Sequence, residues 1–262
     1  MSAQREPREA SAQREREGAS AQREMILAVD TSGADAGLVL ACDGRVDVAL
    51  LPVRDGGAAR TEDLATLAGA LLAAHGCSPR EITLLGAVVG PGSYTGLRSG
   101  LAFVRGLAFA DGIPAVAVGA LELLAWRGAE VGEAVIAAWP ASSGHAMAAA
   151  YRREQCTIAE LTAPTIMGDN ELAEFLATGR ELGQAALVLP PTADSALAAT
   201  AGEAGLDLRV PASGGLERLA ELVAAKRERG QTSSVDNLLP LYLGQSTARP
   251  NRDRVAVFAT RE

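Results

Sequence analysis

The chain has 262 residues, of which 48% are hydrophobic and only 3% aromatic, and its formal net charge is −8. This length suits one large domain or two small ones, and an aliphatic core of this kind suits layered helices and sheets. The negative charge argues against a protein that binds nucleic acid alone, because such binding needs a surplus of Lys and Arg against the phosphates.

Cysteine usage and hydropathy point to a cytoplasmic protein. Cys42, Cys77 and Cys156 are far apart and form no CxxC pair, as expected of a reduced compartment. No apolar run is long enough to span a membrane, and the N-terminus lacks the hydrophobic stretch of a secretory signal. We therefore expect a cytoplasmic location and no membrane contact.

Residues 1–24 carry a nine-residue repeat whose copies begin Ser-Ala-Gln-Arg-Glu. The segment has five Arg, five Glu and no large apolar residue, so it cannot bury enough surface to offset its ordering entropy. We expect a disordered tail or a frayed helix. It is either a functional tail or an over-extended translation start, and we favour the second, with Met25 as the true beginning.

The body of the chain opens with three predicted strands. The apolar run 25–29 predicts a buried strand that ends at a turn cluster beginning with Asp30. Strands follow over 37–42 and 45–51, joined by the hairpin turn Asp43-Gly44, where glycine accepts a positive φ. The sequence therefore predicts a meander of three neighbouring strands.

Two helices follow, with a strand and a glycine-rich loop between them. The first is predicted over 61–75, and His75 in its last turn is expected to cap the helix end. A strand over 82–89 leads directly into the loop, and the second helix is predicted over 95–110. That helix is apolar on most sides, so the sheet must cover one side and another helix or subunit the other.

The rest of the chain alternates between strands and helices. Strands are predicted over 113–118, 134–139, 146–152, 156–161 and 185–189, and helices over 120–126, 169–178, from Asp194 onwards, and over 216–229. This order predicts an α/β protein with two lobes. We place the first lobe at 25–125 and a smaller second lobe with the C-terminal segment at 126–262.

The loop Gly90-Pro91-Gly92-Ser93-Tyr94-Thr95-Gly96 joins a strand to a helix, a layout that can hold an anion at the helix N-terminus. Its spacing matches neither the P-loop, which requires a lysine, nor the Gly-x-Gly-x-x-Gly fingerprint of dinucleotide sites. Spacing alone therefore favours a tight structural turn, with phosphate binding as the alternative.

Extended by Leu97 and Arg98, this loop closely resembles the Gly-Pro-Gly-Ser-[Phe/Tyr]-Thr-Gly-[Leu/Val]-Arg hallmark of the TsaB (YeaZ) family, in the Gcp-like, M22-like group. The opening Ile-Leu-Ala-Val-Asp-Thr, residues 26–31, is similar to the first strand of that family. Pro-Leu-Tyr-Leu at 240–243 is similar to its C-terminal signature. The resemblance spans about residues 25–243.

The resemblance implies a two-lobed actin-like (sugar kinase/Hsp70-like) ATPase fold with mixed sheets flanked by helices. It implies a non-catalytic scaffold subunit that pairs with a TsaD-like protein in the complex making N6-threonylcarbamoyladenosine at position 37 of tRNA. A TsaE-like ATPase would join, and tRNA would be bound only through the complex. The helices that bind the TsaD-like protein could self-pair in its absence, so the resemblance leaves open whether the chain alone is a homodimer. We expect no cofactor on the subunit itself, whereas the complex uses ATP and Mg²⁺.

By the same resemblance, the partner binds the two helices of the first lobe. The expected interface residues are Leu64, Leu67, Leu71, Leu97, Arg98, Leu101, Val104 and Arg105. The chain also departs from the family at 140–147, where a charged segment is usual, and at Thr61-Glu62 and Gly244, which replace His-Ser and Arg. These departures indicate a divergent member.

The alternative is a nucleotide-binding hydrolase or kinase of the same fold. Asp30 would then contact the phosphates through Mg²⁺, although a turn cap is the favoured role for Asp30. The nucleotide-binding residues would be Asp30, Thr31, Gly90, Gly92, Ser93 and Thr95. A protease is disfavoured because His75 and His145 are too far apart for a metal-binding pair, and we expect no catalytic or metal-binding residue.

Overall fold

The computed structural model describes residues 24–54, 59–141, 144–181, 183–193, 195–211 and 215–241. The repeat predicted to be a tail lies outside these residues except for Glu24. Tyr242 and Leu243 of the C-terminal signature, and Asp194 at the start of a predicted helix, also lie outside them.

The first sheet has five strands in the order β3-β2-β1-β4-β5. The antiparallel meander is confirmed: β1 (Met25–Asp30), β2 (Gly37–Cys42) and β3 (Arg45–Leu50) pair in sequence order. Its tight turn at Asp43-Gly44 has a positive φ at both residues, as a type I′ hairpin requires. The strands β4 (Leu84–Gly90) and β5 (Ala115–Gly119) are parallel to β1 and extend the sheet on its other side.

Helices cover both faces of this sheet. On one face, α1 (Leu64–Ala74) and α2 (Tyr94–Asp111) pack their leucines against alternate residues of β1 and β2. On the other face lie α3 (Ala120–Gly128) and α6 (Glu217–Glu228), which also share a core with the second sheet. The four helices agree in type and approximate extent with those predicted from the apolar periodicity.

The second sheet follows the order β11-β10-β6-β7-β8, with β9 pairing to β7. Its strands are β6 (Ala134–Pro140), β7 (His145–Arg153), β8 (Ile158–Glu160), β9 (Thr165–Gly168), β10 (Ala186–Val188) and β11 (Asp207–Arg209). The helices α4 (Asp169–Glu181) and α5 (Ser195–Ala204) pack on its outer face. β9 and β11 were not predicted, because neither of these short segments lies in a continuous apolar run such as the one that marks β10.

The described C-terminal residues return to the first sheet. Ser233 N donates to Ala115 O at 2.7 Å, and Leu241 N donates to Val89 O at 2.8 Å. Leu238, which is fully buried, belongs to the core beneath α1 and α2. The division made from the sequence groups this C-terminal segment with the second lobe, whereas the contacts above are with the first lobe. The position of the boundary between the lobes stays a prediction.

Within the described ranges, no helix is both long and apolar enough to cross a membrane.

We predict that Leu238→Ala lowers the free energy of unfolding by about 2–4 kcal/mol, because it leaves a cavity in the first-lobe core. The neighbouring Leu239→Ala is the matched control: Leu239 is 55% exposed, so its truncation should cost less than about 0.5 kcal/mol. Chemical denaturation of both variants checks this. Equal effects would show that the C-terminal segment does not contribute to this core.

Candidate functional site

The glycine-rich loop delivers the chain from β4 into α2 through a capped helix start. The Gly90–Pro91 peptide is cis, and Gly90 and Gly92 have positive φ values of 120° and 155°. Ser93 is the N-cap, and its Oγ accepts a hydrogen bond from Gly96 N at 3.2 Å. Ser93 therefore caps the start of α2.

This loop packs directly against the turn that follows β1. Ser93 N donates to Ser32 O at 2.7 Å, so this amide is satisfied within the chain. A Cβ on Gly92 would lie 2.6 Å from Ser32 Cβ, and a Cβ on Gly96 would overlap Thr31 O. The loop glycines are thus explained by the close approach of two backbone segments, which favours the structural turn over a phosphate cradle.

The structure offers little space for a nucleotide at the residues that were predicted to bind one. Thr31 and Gly90 are buried and Thr95 lies on the outer surface, so of these residues only Asp30 lines the cleft between the lobes. That cleft has a volume of about 40 Å³, room for roughly three waters, whereas small-molecule sites usually measure about 300–1,000 Å³. Trp139 lines the cleft close to the turn after β1, and its Cη2 would lie 3.4 Å from a Cβ on Gly33.

Asp30 caps the turn after β1, which is the role that the sequence favours for it. Its Oδ1 accepts hydrogen bonds from Ser32 N at 2.8 Å and from Ser32 Oγ at 2.6 Å. Burial raises the pKa of this carboxyl, against the hydrogen bonds from Ser32 and the nearby charge of Arg127, which lower it. Sequence reasoning missed Arg127 and Trp139 as cleft residues, since neither belongs to a local motif.

The expected partner-interface residues divide into two groups. Five of the eight lie in the chain's own core, with at most 8% of each residue exposed: Leu64, Leu71, Leu97, Leu101 and Val104. Leu67 and Arg105 are half-buried and Arg98 is exposed. The apolar periodicity identified the side of each helix that packs against the first sheet.

The outward sides of α1 and α2 present small residues. We call this surface the α1–α2 face; it comprises Ala65, Thr66, Gly69, Ala70 and Ala73 of α1 with Gly106 and Ala110 of α2, all exposed. α1 carries no charged residue along its eleven residues, although solvent-facing helix surfaces are normally polar or charged. The sequence signal for this face is a pair of glycines, Gly69 and Gly106, inside helices.

The two histidines occupy different lobes. His75 contacts a carboxylate rather than only capping α1: its Nε2 lies 2.6 Å from Asp47 Oδ2 on β3. The pKa of Asp47 is lowered, chiefly by the hydrogen bond from Arg45. His145 is exposed at the start of β7. Among the residues that the structure describes, no three His, Cys, Asp or Glu side chains are grouped so that they could hold a metal ion.

Comparison with known proteins agrees with this architecture. The profile of the family described as "TsaD: tRNA N6-adenosine threonylcarbamoyltransferase" matches residues 57–190, just over half of the chain. The chain belongs to this family.

The relatives support that assignment. The tRNA threonylcarbamoyladenosine biosynthesis protein TsaB of Escherichia coli (strain K12) is 31% identical over 134 residues, which cover 50% of this chain and 56% of that protein. YeaZ from Pseudomonas aeruginosa has the same fold, with a TM-score of 0.64 at 22% identity, covering 84% of this chain and all of that one. A second structure from that organism, described as similar to peptidase YeaZ, gives 0.65 with the same identity and coverage. The predicted fold class is confirmed.

We predict that Gly96→Ala destabilises the chain by about 1–3 kcal/mol, because the added methyl group would displace the Thr31 backbone. Gly106→Ala in the same helix is the control, since a Cβ there meets no atom within 4 Å. Thermal unfolding of both variants checks this, and a neutral Gly96→Ala would contradict the packing role of the loop.

We predict that Asp30→Asn raises the melting temperature at pH 7 and that the gain shrinks as the pH falls towards 4. A carboxyl whose pKa is raised in the folded state contributes stability below its unfolded pKa, and loses it as the pH rises through the folded pKa. Asparagine avoids burying the charge and can still accept from Ser32 N. Melting curves at several pH values check this; a variant less stable than the parent at pH 7 would contradict it.

Proposed function

We propose that the chain is a non-catalytic subunit that pairs with a TsaD-like protein in the complex making N6-threonylcarbamoyladenosine at position 37 of tRNA. The α1–α2 face is the proposed contact surface. The observation that carries this proposal is the presence on one uncharged face of Gly69 and Gly106, two helical glycines that no other residue described by the structure requires.

Glycine inside a helix costs about 1 kcal/mol of stability relative to alanine. Gly96 in α2 is accounted for by the contact with Thr31, but a Cβ on Gly69 or Gly106 would meet no atom within 4 Å. A partner helix that approaches both positions closely would account for them, because glycine lets two backbones come near each other. The uncharged character of α1 supports the same role, since contiguous exposed apolar surface marks interaction sites.

The relatives support the pathway and the kind of partner. The E. coli relative is named for threonylcarbamoyladenosine biosynthesis, and the matching family profile is that of TsaD. On this proposal a TsaE-like ATPase joins the pair in the cytoplasm, the complex uses ATP and Mg²⁺, and tRNA is bound through the complex. The same face serves for homodimer formation when the TsaD-like protein is absent.

The cleft between the lobes supports a non-catalytic role. An actin-like hydrolase or kinase needs an open cleft, whereas Trp139 and the capped Asp30 leave about 40 Å³ here. The alternative of a nucleotide-dependent enzyme therefore draws no support from the cleft. We expect the chain alone to give no binding heat with ATP and Mg²⁺ in isothermal titration, and micromolar binding would favour the alternative.

The decisive experiment adds one methyl group at each exposed glycine. Gly69→Ala and Gly106→Ala should each stabilise the isolated chain, by about 0.5–1 kcal/mol, through helix propensity alone. Together they should weaken binding to the TsaD-like protein of the same organism at least tenfold, because the methyl groups obstruct close approach. Titration calorimetry measures the affinity, and mass spectrometry of tRNA measures the modified nucleoside in the reconstituted reaction.

Gly202→Ala is the matched control, because Gly202 is also an exposed helical glycine whose Cβ would meet nothing, but it lies on α5 of the second lobe. It should stabilise the chain in the same way and leave the affinity unchanged. Two variants that each introduce a negative charge give a second test. Ala70→Glu on α1 should abolish the complex, whereas Ala177→Glu on α4 should not. Unchanged affinity with every α1–α2 variant would overturn the proposal.

A further inference from the structure

The first sheet has one edge with exposed apolar side chains. Among the residues that the structure describes, β3 is the last strand at this edge, and the strand that it pairs with is β2. Val46, Val48 and Leu50 alternate along β3 and therefore lie on the same side of the sheet. Val48 packs against the core shared with α3 and α6, whereas Val46 is 43% and Leu50 53% exposed. An apolar stripe thus continues from the core to the open edge.

This edge has few of the features that protect a sheet from pairing with further strands. Edge strands present unpaired backbone N–H and C=O groups, and natural proteins protect them with charges, bulges, proline or a covering segment. β3 is six residues long and contains no proline. Its charged residues, Arg45 and Asp47, point to the other side of the sheet from the stripe and form an ion pair with each other at 2.6 Å. The stripe side of β3 therefore suits a covering segment.

The sequence beyond the described residues contains a candidate for that segment. Residues 254–261 are Arg-Val-Ala-Val-Phe-Ala-Thr-Arg, and valine, phenylalanine and threonine are residues that favour a β-strand. The twelve residues before it, 242–253, include Gly244, Pro250 and Asn251, which are typical of turns and linkers. The sequence therefore predicts a linker followed by a short strand.

The segment starts from the end of the sheet at which β3 finishes. Leu241 N donates to Val89 O at 2.8 Å, so the last described residue lies beside the C-terminal end of β4. β4 is parallel to β1, and β1, β2 and β3 alternate in direction, so Leu50 of β3 lies at the same end. A strand beyond β3 is four strand spacings from β4, about 19 Å, whereas twelve residues can span about 40 Å.

We propose that residues 254–260 bind the open edge of β3 as a sixth strand of the first sheet. A chain that enters beside Leu50 runs towards Arg45, so the new strand is antiparallel to β3. It pairs with the outward backbone groups of β3 and covers Val46 and Leu50 with its own apolar side chains. Its role is to close an edge that would otherwise be open to other copies of the chain.

Charge supports the same occupant. Residues 242–262 carry four arginines and two acidic residues, so the segment is positive, whereas the whole chain has a net charge of −8. A positive segment is attracted to a negative body, which favours its binding to this chain.

Hydrogen exchange of the full chain, followed by mass spectrometry, tests the pairing. We expect peptides that cover 254–260 to exchange at least tenfold more slowly than an unstructured chain. The double substitution Val46→Lys, Leu50→Lys places two charges on the stripe and should remove this protection. Val257→Pro should also remove it, because proline takes one N–H from the new strand. This second variant leaves β3 unchanged, so its result does not depend on how β3 tolerates lysine.

The matched control is Leu208→Lys combined with Val210→Lys. These two exposed apolar residues lie in and beside β11, the edge strand of the second sheet, so the control makes the same chemical change at a different edge. It should leave the protection of 254–260 unchanged. A chain that ends at Ala248 gives the reciprocal measurement, and the amides of β3 should exchange faster in it than in the full chain.

Three results would overturn the proposal. Residues 254–260 could exchange at the rate of an unstructured chain, or their protection could survive both Val257→Pro and the β3 substitutions. Protection that disappears on dilution would instead assign the segment to β3 of a second copy. None of these variants alters the α1–α2 face, so the outcome is independent of the proposed contact with a TsaD-like protein.

Discussion

The contact between the turn after β1 and the glycine-rich loop is the constraint on which the first lobe depends. Thr31 and Ser32 lie so close to the loop and to the first turns of α2 that positions 92, 96 and 100 have no room for a side chain. This contact sets where α2 begins and which of its sides meets the sheet. It therefore determines that Gly106 faces outwards, and so positions the α1–α2 face.

The side of each helix that packs against the sheet and the side available to a partner differ in composition. The leucines of α1 and α2 form the chain's own core, so the residues left for a partner are small ones on one side and arginines with aromatics on another. A flat surface of alanine and glycine allows close approach of a second helix.

Much of the fold could be predicted from the sequence because its main strands are continuous apolar runs and its helices are periodic. Met25–Asp30 and Ala134–Pro140 are examples of such strands. The return of Leu238 to the first core was not predictable, because that contact joins segments far apart in the chain. The family hallmark identified the relatives, but the reason for its glycines emerged only when Thr31 was seen against Gly96. The filling of the cleft by Trp139 has no local sequence signal at all.

The route of the chain has a consequence for how the protein is made. The core beneath α1 and α2 contains Leu238, and the strand order of the first sheet is completed at its edge by the bridge from Ala115 to Ser233. During synthesis from the N-terminus, the first lobe must therefore wait for the whole second lobe to leave the ribosome before its own packing is complete. Until then the place of Leu238 in the apolar interior of the first lobe stays unfilled.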